Sequence, residues 1–294
     1  MKTSFSKSHL SYQEQVQLLK NRNLVISNEH FAIKKLQHLN YYRLSSYYYP
    51  FYEQKNYFKD NTTFEDILKL YYFDKELRHL VFFAIEKIEI YMRTQISYTI
   101  SKNNEVFGYA DKTIFHNEKF HLSILETISN ETQRSKEVFV KEFYKNYNEK
   151  YLPVWAMVEI ISFNTLSKIF ANLKEFYRKV IVEDLDIKPF VFQRWLHTLT
   201  YIRNICAHHS RLWNKDLAIE PMIPKNQKIF KNINNKKLFF VFTMIEYLLT
   251  KIDSEEFSFK YELKQLLKKY PQIDIQKMGF IENWEDNPIW RDDE

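Results

Sequence analysis

Arg194-Trp-Leu-His-Thr-Leu-Thr-Tyr-Ile-Arg-Asn-Ile-Cys-Ala-His-His-Ser-Arg-Leu-Trp-Asn214 is the stretch on which the fold turns. Wound at about 100° per residue, it places Trp195, Leu199, Ile202, Cys206, His209 and Trp213 on one stripe. His197, Tyr201, Asn204, His208 and Arg211 face the other way, with Arg203 on the border. That separation predicts an amphipathic helix, started by Pro189 in its first turn and running from Phe190 to Trp213. The two adjacent histidines then have different surroundings. His209 is expected to pack among apolar neighbours, whereas His208 points away from the core with Asn204 one turn behind it to orient its imidazole.

Outward from this helix the same periodicity recurs. A capping box at Thr62–Glu65 opens a helical pattern to about Ser101, long enough that a kink or break is expected. On it Glu86, Glu89 and Arg93 share a face, either as a wet i,i+4 pair or as a buried polar row that holds the side chains of the His/Arg helix. Further helices are predicted over 12–22, over 29–39 with Ser27 as cap, over 116–147, from Val154 to Leu173 behind Pro153, from Lys237 to Ile252 and from Tyr261 to Tyr270. No sustained strand alternation and no internal repeat is present, so the expected class is all-α. Three regions are anticipated: residues 1–60, an N-terminal helical and aromatic extension; 61–252, the helical core; and 253–294, a C-terminal helix with an acidic tail.

Composition agrees. Only 2 glycines stand in 294 residues, against 25 Phe and 21 Tyr, too few for turn-rich β architecture. They are also too few for a glycine-rich phosphate loop. The tyrosine-rich stretch Tyr41–Tyr52 could stack bases, but filling gaps between helices is its commoner use. The single cysteine, Cys206, falls on the apolar stripe and suits a reducing cytoplasm. No zinc-ligand spacing is seen, and neither a metal nor another cofactor is expected. The first seven residues lack the apolar region of a signal peptide, and no apolar run is long enough for a membrane span.

The net charge of +6 is unevenly placed: from Arg203 to Lys237 eight basic residues face Asp216 and Glu220, an excess equal to that of the whole chain. Arg211, Lys215, Lys225, Lys228 and Lys231 are the candidates for holding a polyanion backbone. The end, Glu282–Glu294, carries six acidic residues against Arg291 and reads as a solvated tail, with shielding of the basic segment as the alternative.

Arg203-Asn-x-x-x-His208 resembles the Arg-x4-6-His motif of HEPN-superfamily ribonucleases. The wider match is more specific. Asn40–Phe51, Phe64-Glu-Asp-Ile-Leu68, Glu86–Arg93, Trp155–Phe163, Arg203–Asn214 and Met278-Gly-Phe with Trp284 and Trp290 resemble, in order, the Abi-like family of AbiD/AbiF-type abortive-infection proteins. The resemblance implies a HEPN-like helical bundle, a homodimer with the active site between its two copies, and phage defence by a metal-independent endoribonuclease. It also implies RNA as partner, including a cognate small non-coding RNA as a candidate restraint. Catalytic roles carry over to Arg203, Asn204 and His208; from the helix faces alone, His209, Glu86, Glu89 and Arg93 are the candidates for supporting them. Ser210 departs from related toxins that carry a modifiable tyrosine there, which argues against control by that modification. The competing reading is an RNA-binding protein of a ribonucleoprotein defence complex that does not cleave.

Overall fold

A 41-residue helix dominates the backbone. The computed structural model describes residue 4, residues 8–252 and residues 257–292. Among them are twelve α-helices and one two-stranded hairpin, so the fold is all-α. In chain order these are α1 (Tyr12–Asn21), α2 (Glu29–Leu39), α3 (Tyr41–Ser45), β1 (Tyr52–Gln54), β2 (Tyr57–Phe58) and the long α4 (Phe64–Asn104). There follow α5 (Glu118–Arg134), α6 (Val138–Asn146), α7 (Val154–Ile160), α8 (Phe163–Asn172) and α9 (Glu175–Ile181). The last three are α10 (Pro189–Ala207), α11 (Leu238–Ile252) and α12 (Phe259–Lys269).

The chain divides into two units, one of residues 1–77 with 266–273 and the other of 78–265 with 274–294. In the first, α1 and α2 pair, and the tyrosine stretch splits its duties. Tyr47 and Tyr48 are buried, with the Tyr47 hydroxyl donating to Asp74 Oδ2 at 2.6 Å, whereas Tyr42 and Tyr49 are exposed. In the second, α11 is buried over Leu238–Leu249 and forms the centre, as an almost wholly apolar helix must. α10 packs on α8, with Phe192 edge-on to Phe170, and buries Trp195, Leu199 and Ile202 as well. α4 contributes Val81, Ala84, Ile88, Met92, Ile96 and Ile100 to the core, one three-residue step followed by four-residue steps.

Several predicted boundaries are corrected. The box at the start of α4 is formed by Thr63 and Asp66, whose side chains each accept the other's backbone N–H (3.1 and 3.0 Å), rather than by Thr62 and Glu65. α4 then continues without a break to Asn104. Asn28, not Ser27, caps α2. The expected helix over 116–147 is two helices, α5 and α6. So is 154–173, because Ser162 caps a new helix by accepting from Thr165 N at 3.2 Å. The C-terminal end is not simply a solvated tail. Trp284 and Trp290 pack with Phe239, and the nearly buried Lys264 ammonium lies 2.6 Å from Asp292 and 3.8 Å from Glu285. The remaining acidic residues at 293 and 294, and most of the N-terminal stretch read for a signal peptide, lie outside the described residues.

Few glycines do not prevent turns here. Among the described residues ten non-glycine positions have positive φ, and seven of them are asparagines, whose short polar side chain tolerates that region best. Gly279, at φ 88°, is used where a Cβ would fall 2.4 Å from that of Lys237.

Candidate functional site

α10 ends one residue before the predicted histidine. Ala207 is its last helical residue, and His208 takes the capping position with φ −87° and ψ 10°. His209 follows at φ 55°. Its N–H donates to Cys206 O at 3.1 Å and Ser210 N–H to Ile205 O at 3.0 Å, the paired bonds of a Schellman ending. His209 therefore occupies the left-handed place where glycine is usual, and it is exposed rather than packed on the apolar stripe, contrary to the expectation from a helix continuing to Trp213. Leu212 and Trp213 are buried, but from the segment beyond the helix. His208 is exposed as expected. Its link to Asn204 is a backbone one, His208 N–H to Asn204 O at 3.0 Å.

One turn earlier, Arg203 meets α4. Its Nε is buried and makes no hydrogen bond, and Glu89 Oε2 lies 3.9 Å away, an electrostatic contact. Its guanidinium carbon sits 5.5 Å from the centre of the Phe82 ring, a cation–π arrangement. Glu89 in turn pairs with Arg93, both side chains 13% exposed. The Arg93 guanidinium also donates to the carbonyls of Val158 and, at 2.9 Å, Ile161 at the end of α7. From the other side Glu131 of α5 accepts from Ser162 N–H at 3.2 Å and from the Thr165 hydroxyl at 3.1 Å. The break between α7 and α8 is thus held between α4 and α5, and Glu89 stands between two arginines as a shared counter-charge.

The row Glu86, Glu89 and Arg93 faces the His/Arg helix, although Glu86 itself is exposed. These three residues, with Phe82, Glu159 and Arg203, line a cavity of about 220 Å3. It adjoins a more open cleft of about 450 Å3, also lined by Glu89, Arg93, Glu159 and Arg203, to which Glu131, Arg134 and Lys136 contribute. The structure therefore brings together Arg203, Glu89, Arg93 and Glu86. No hydrogen bond or ion pair joins Arg203 to His208 among the described residues, and Asn204 is exposed.

The basic candidates lie elsewhere. Arg211 and Lys215 are half-buried beyond α10, while Lys225, Lys228 and Lys231 are exposed. Lys225 lines a separate cavity. Sequence reasoning missed Phe82 and Glu159. Phe82 continues the row backwards at i−4 from Glu86, a spacing that was legible. Glu159 comes from another helix and left no such signal. Arg134 and Lys136 were hidden because 116–147 read as one evenly charged helix.

No group of three or more His, Cys, Asp or Glu side chains is placed to hold a metal ion, and no helix is long and apolar enough to cross a membrane, among the described residues. No curated protein and no solved structure matches the chain. A family model does, and its span from residue 34 to 214 covers α4, the cleft and the end of α10. With well over half of its length matched by the model for Abi-like proteins, the chain belongs to the Abi-like protein family.

Proposed function

We propose that this protein is an abortive-infection phage-defence protein that cleaves RNA without a metal, in the manner of HEPN ribonucleases. The observation that carries the reading is the placement of Arg203: its guanidinium lies against Glu89 and Phe82 in the lining of a cavity, five residues before the exposed His208 at the helix end. A ribose 2′-oxygen attacks the adjacent phosphorus while a histidine takes its proton; the bond from phosphorus to the 5′-oxygen breaks, and an acid protonates that oxygen. The products are a 2′,3′-cyclic phosphate and a 5′-hydroxyl. Arg203 offsets the negative charge that grows on the phosphoryl oxygens. One chain offers one His208, whereas the reaction needs a base and an acid. A two-fold dimer that brings the C-terminal ends of two α10 helices together supplies both. A cognate small RNA restraining the enzyme belongs to the same proposal.

One feature favours the competing reading of RNA binding without cleavage. Glu86, Glu89 and Glu159 line the Arg203 cavity and oppose the charge that the transition state accumulates. Incubation of RNA with the protein in EDTA separates the two. The proposal expects cleavage that His208→Ala lowers about 10²–10⁴-fold and Arg203→Ala about 10²–10³-fold. Tight, salt-sensitive binding without products would instead establish the binder.

A further inference from the structure

A second cavity, of about 660 Å3, opens at the N-terminal end of α10, within the size range of small-molecule sites (about 300–1,000 Å3). Val182, Ile187, Phe190, Met222, Ile223 and Pro224 give it apolar walls. The walls are anchored to the core: Trp195 Nε1–H donates to Met222 O at 2.7 Å, and the Tyr247 hydroxyl donates to Leu185 O at 2.9 Å. Gln227 Nε2 ties the two sides together by donating to the Tyr247 hydroxyl at 3.1 Å and to Asp186 O at 3.3 Å. The cavity is therefore preformed, yet Phe190 remains 50% and Ile223 47% exposed, a flat ring and a branched aliphatic side chain from different segments left open to a guest.

Charge narrows the choice of guest. Lys179, Lys188 and Lys225 outnumber the carboxylates Glu183 and Asp186 in the lining. Lys179 lies 3.9 Å from Glu175, whereas neither Lys188 nor Lys225 is engaged in an ion pair among the described residues. An apolar slot beside ammonium groups that form no ion pair suits a planar ring joined to a phosphate, the chemistry of a nucleotide.

The surroundings extend the site. Phe190, Arg194, His197, Tyr201 and Asn204 follow one another at three- and four-residue spacing in a stripe along α10, exposed except for the half-buried Tyr201, and lead to His208 at its C-terminal cap. The stripe contains ring, cation, imidazole, phenol and amide groups and no carboxylate. It runs about 27 Å, at about 1.5 Å per residue, from the cavity to the residue proposed as catalytic.

We infer that the cavity at the N-terminal end of α10 is a nucleotide subsite for single-stranded RNA, with one base lodged against Phe190, Met222 and Ile223, its phosphate on Lys188 and Lys225, and the strand continuing along the α10 stripe toward His208. This rests on RNA being the partner, not on its cleavage. The continuous stripe is what distinguishes a strand from a free nucleotide, which would fill the cavity alone.

The test uses the full chain and 2′-O-methyl dodecauridine, a probe without the attacking hydroxyl, with affinity read by fluorescence anisotropy. Phe190→Ala, and Lys188→Ala with Lys225→Ala, should each weaken binding about tenfold. A 4-thiouridine version should crosslink to the 222–224 segment in the wild-type protein, a readout that needs no variant. Unchanged affinity in the variants with crosslinks elsewhere would overturn the inference even if RNA is cleaved. If the variants weaken binding but no RNA is ever cut, the subsite stands and the ribonuclease reading fails. If uridine 5′-monophosphate binds the cavity as tightly as the oligonucleotide does, the strand claim is wrong.

Discussion

At the scale of single residues, Glu89 and His209 decide most. Glu89 is a carboxylate with two arginines to satisfy, Arg93 at 13% exposure and Arg203 at 3.9 Å. Glu89→Gln keeps the shape and removes the charge, leaving two guanidinium groups facing each other. We expect a stability loss of about 1–3 kcal/mol in denaturant unfolding. RNA cleavage should fall about 10- to 100-fold, because Arg203 loses its anchor. A variant with native stability and activity would show that Glu89 positions nothing. His209 makes the opposite prediction. Its φ of 55° is one that glycine adopts freely, so His209→Gly should fold without backbone strain, and cleavage retained in that variant would leave His208 as the proposed histidine. Loss of cleavage on that change would move the proposed histidine from 208 to 209. Here the sequence was half legible. The exposure of His208 agrees with the helical winding, but the expected opposition of the two histidines does not hold, since both lie exposed beyond Ala207. The burial of His209 did not follow, because nothing in Ala207-His-His-Ser210 announced that the helix stops there without the usual glycine.

Among the elements, the buried faces of α4 and α10 were readable because their apolar residues recur at three- and four-residue spacing. Boundaries set by side-chain caps were less so. Ser162 ends one helix and begins another inside an apolar run, and its competing hydrogen bond to Thr165 N outweighs the run's periodicity. The cleft was legible on α4 and hidden on α5 and α7, since its other lining residues come from helices far apart in sequence. The junction before α10 offers a pH test. Burial, with the nearby Asp186 charge, pushes Tyr247 from its ordinary value of 10.0 up to about 12, while Gln227 pulls slightly the other way. A raised folded-state value means that the neutral phenol is favoured in the native protein. Its contribution is intact below pH 10 and is lost as pH climbs from 10 to 12. Unfolding curves across that window should show a loss of stability that is smaller in Tyr247→Phe. Identical slopes in both proteins would contradict this account of the junction.

For the whole molecule, the central question is whether one chain suffices. The fold places a single His208 at the end of α10, and the proposed reaction needs two proton-transfer groups. If two copies contribute one histidine each, mixing wild type with His208→Ala under subunit exchange should poison the enzyme. At equal amounts only about a quarter of the dimers carry both histidines, so activity should fall to about a quarter rather than a half. A fall to one half would mean that each chain works alone. The all-α class and the Abi-like family were accessible from the sequence as a whole, through ordered segments from Asn40 to Asn214. Docking of Trp284 and Trp290 was not, because the surrounding acidic residues dominated the reading of that end.

The most direct test of the ribonuclease claim is to map the ends of RNA incubated with the purified protein in EDTA, wild type beside His208→Ala. The account predicts 2′,3′-cyclic phosphate and 5′-hydroxyl ends with wild type and about 10²–10⁴-fold fewer with the variant. Equal cleavage by both proteins, or RNA bound by wild type and recovered intact, would contradict it.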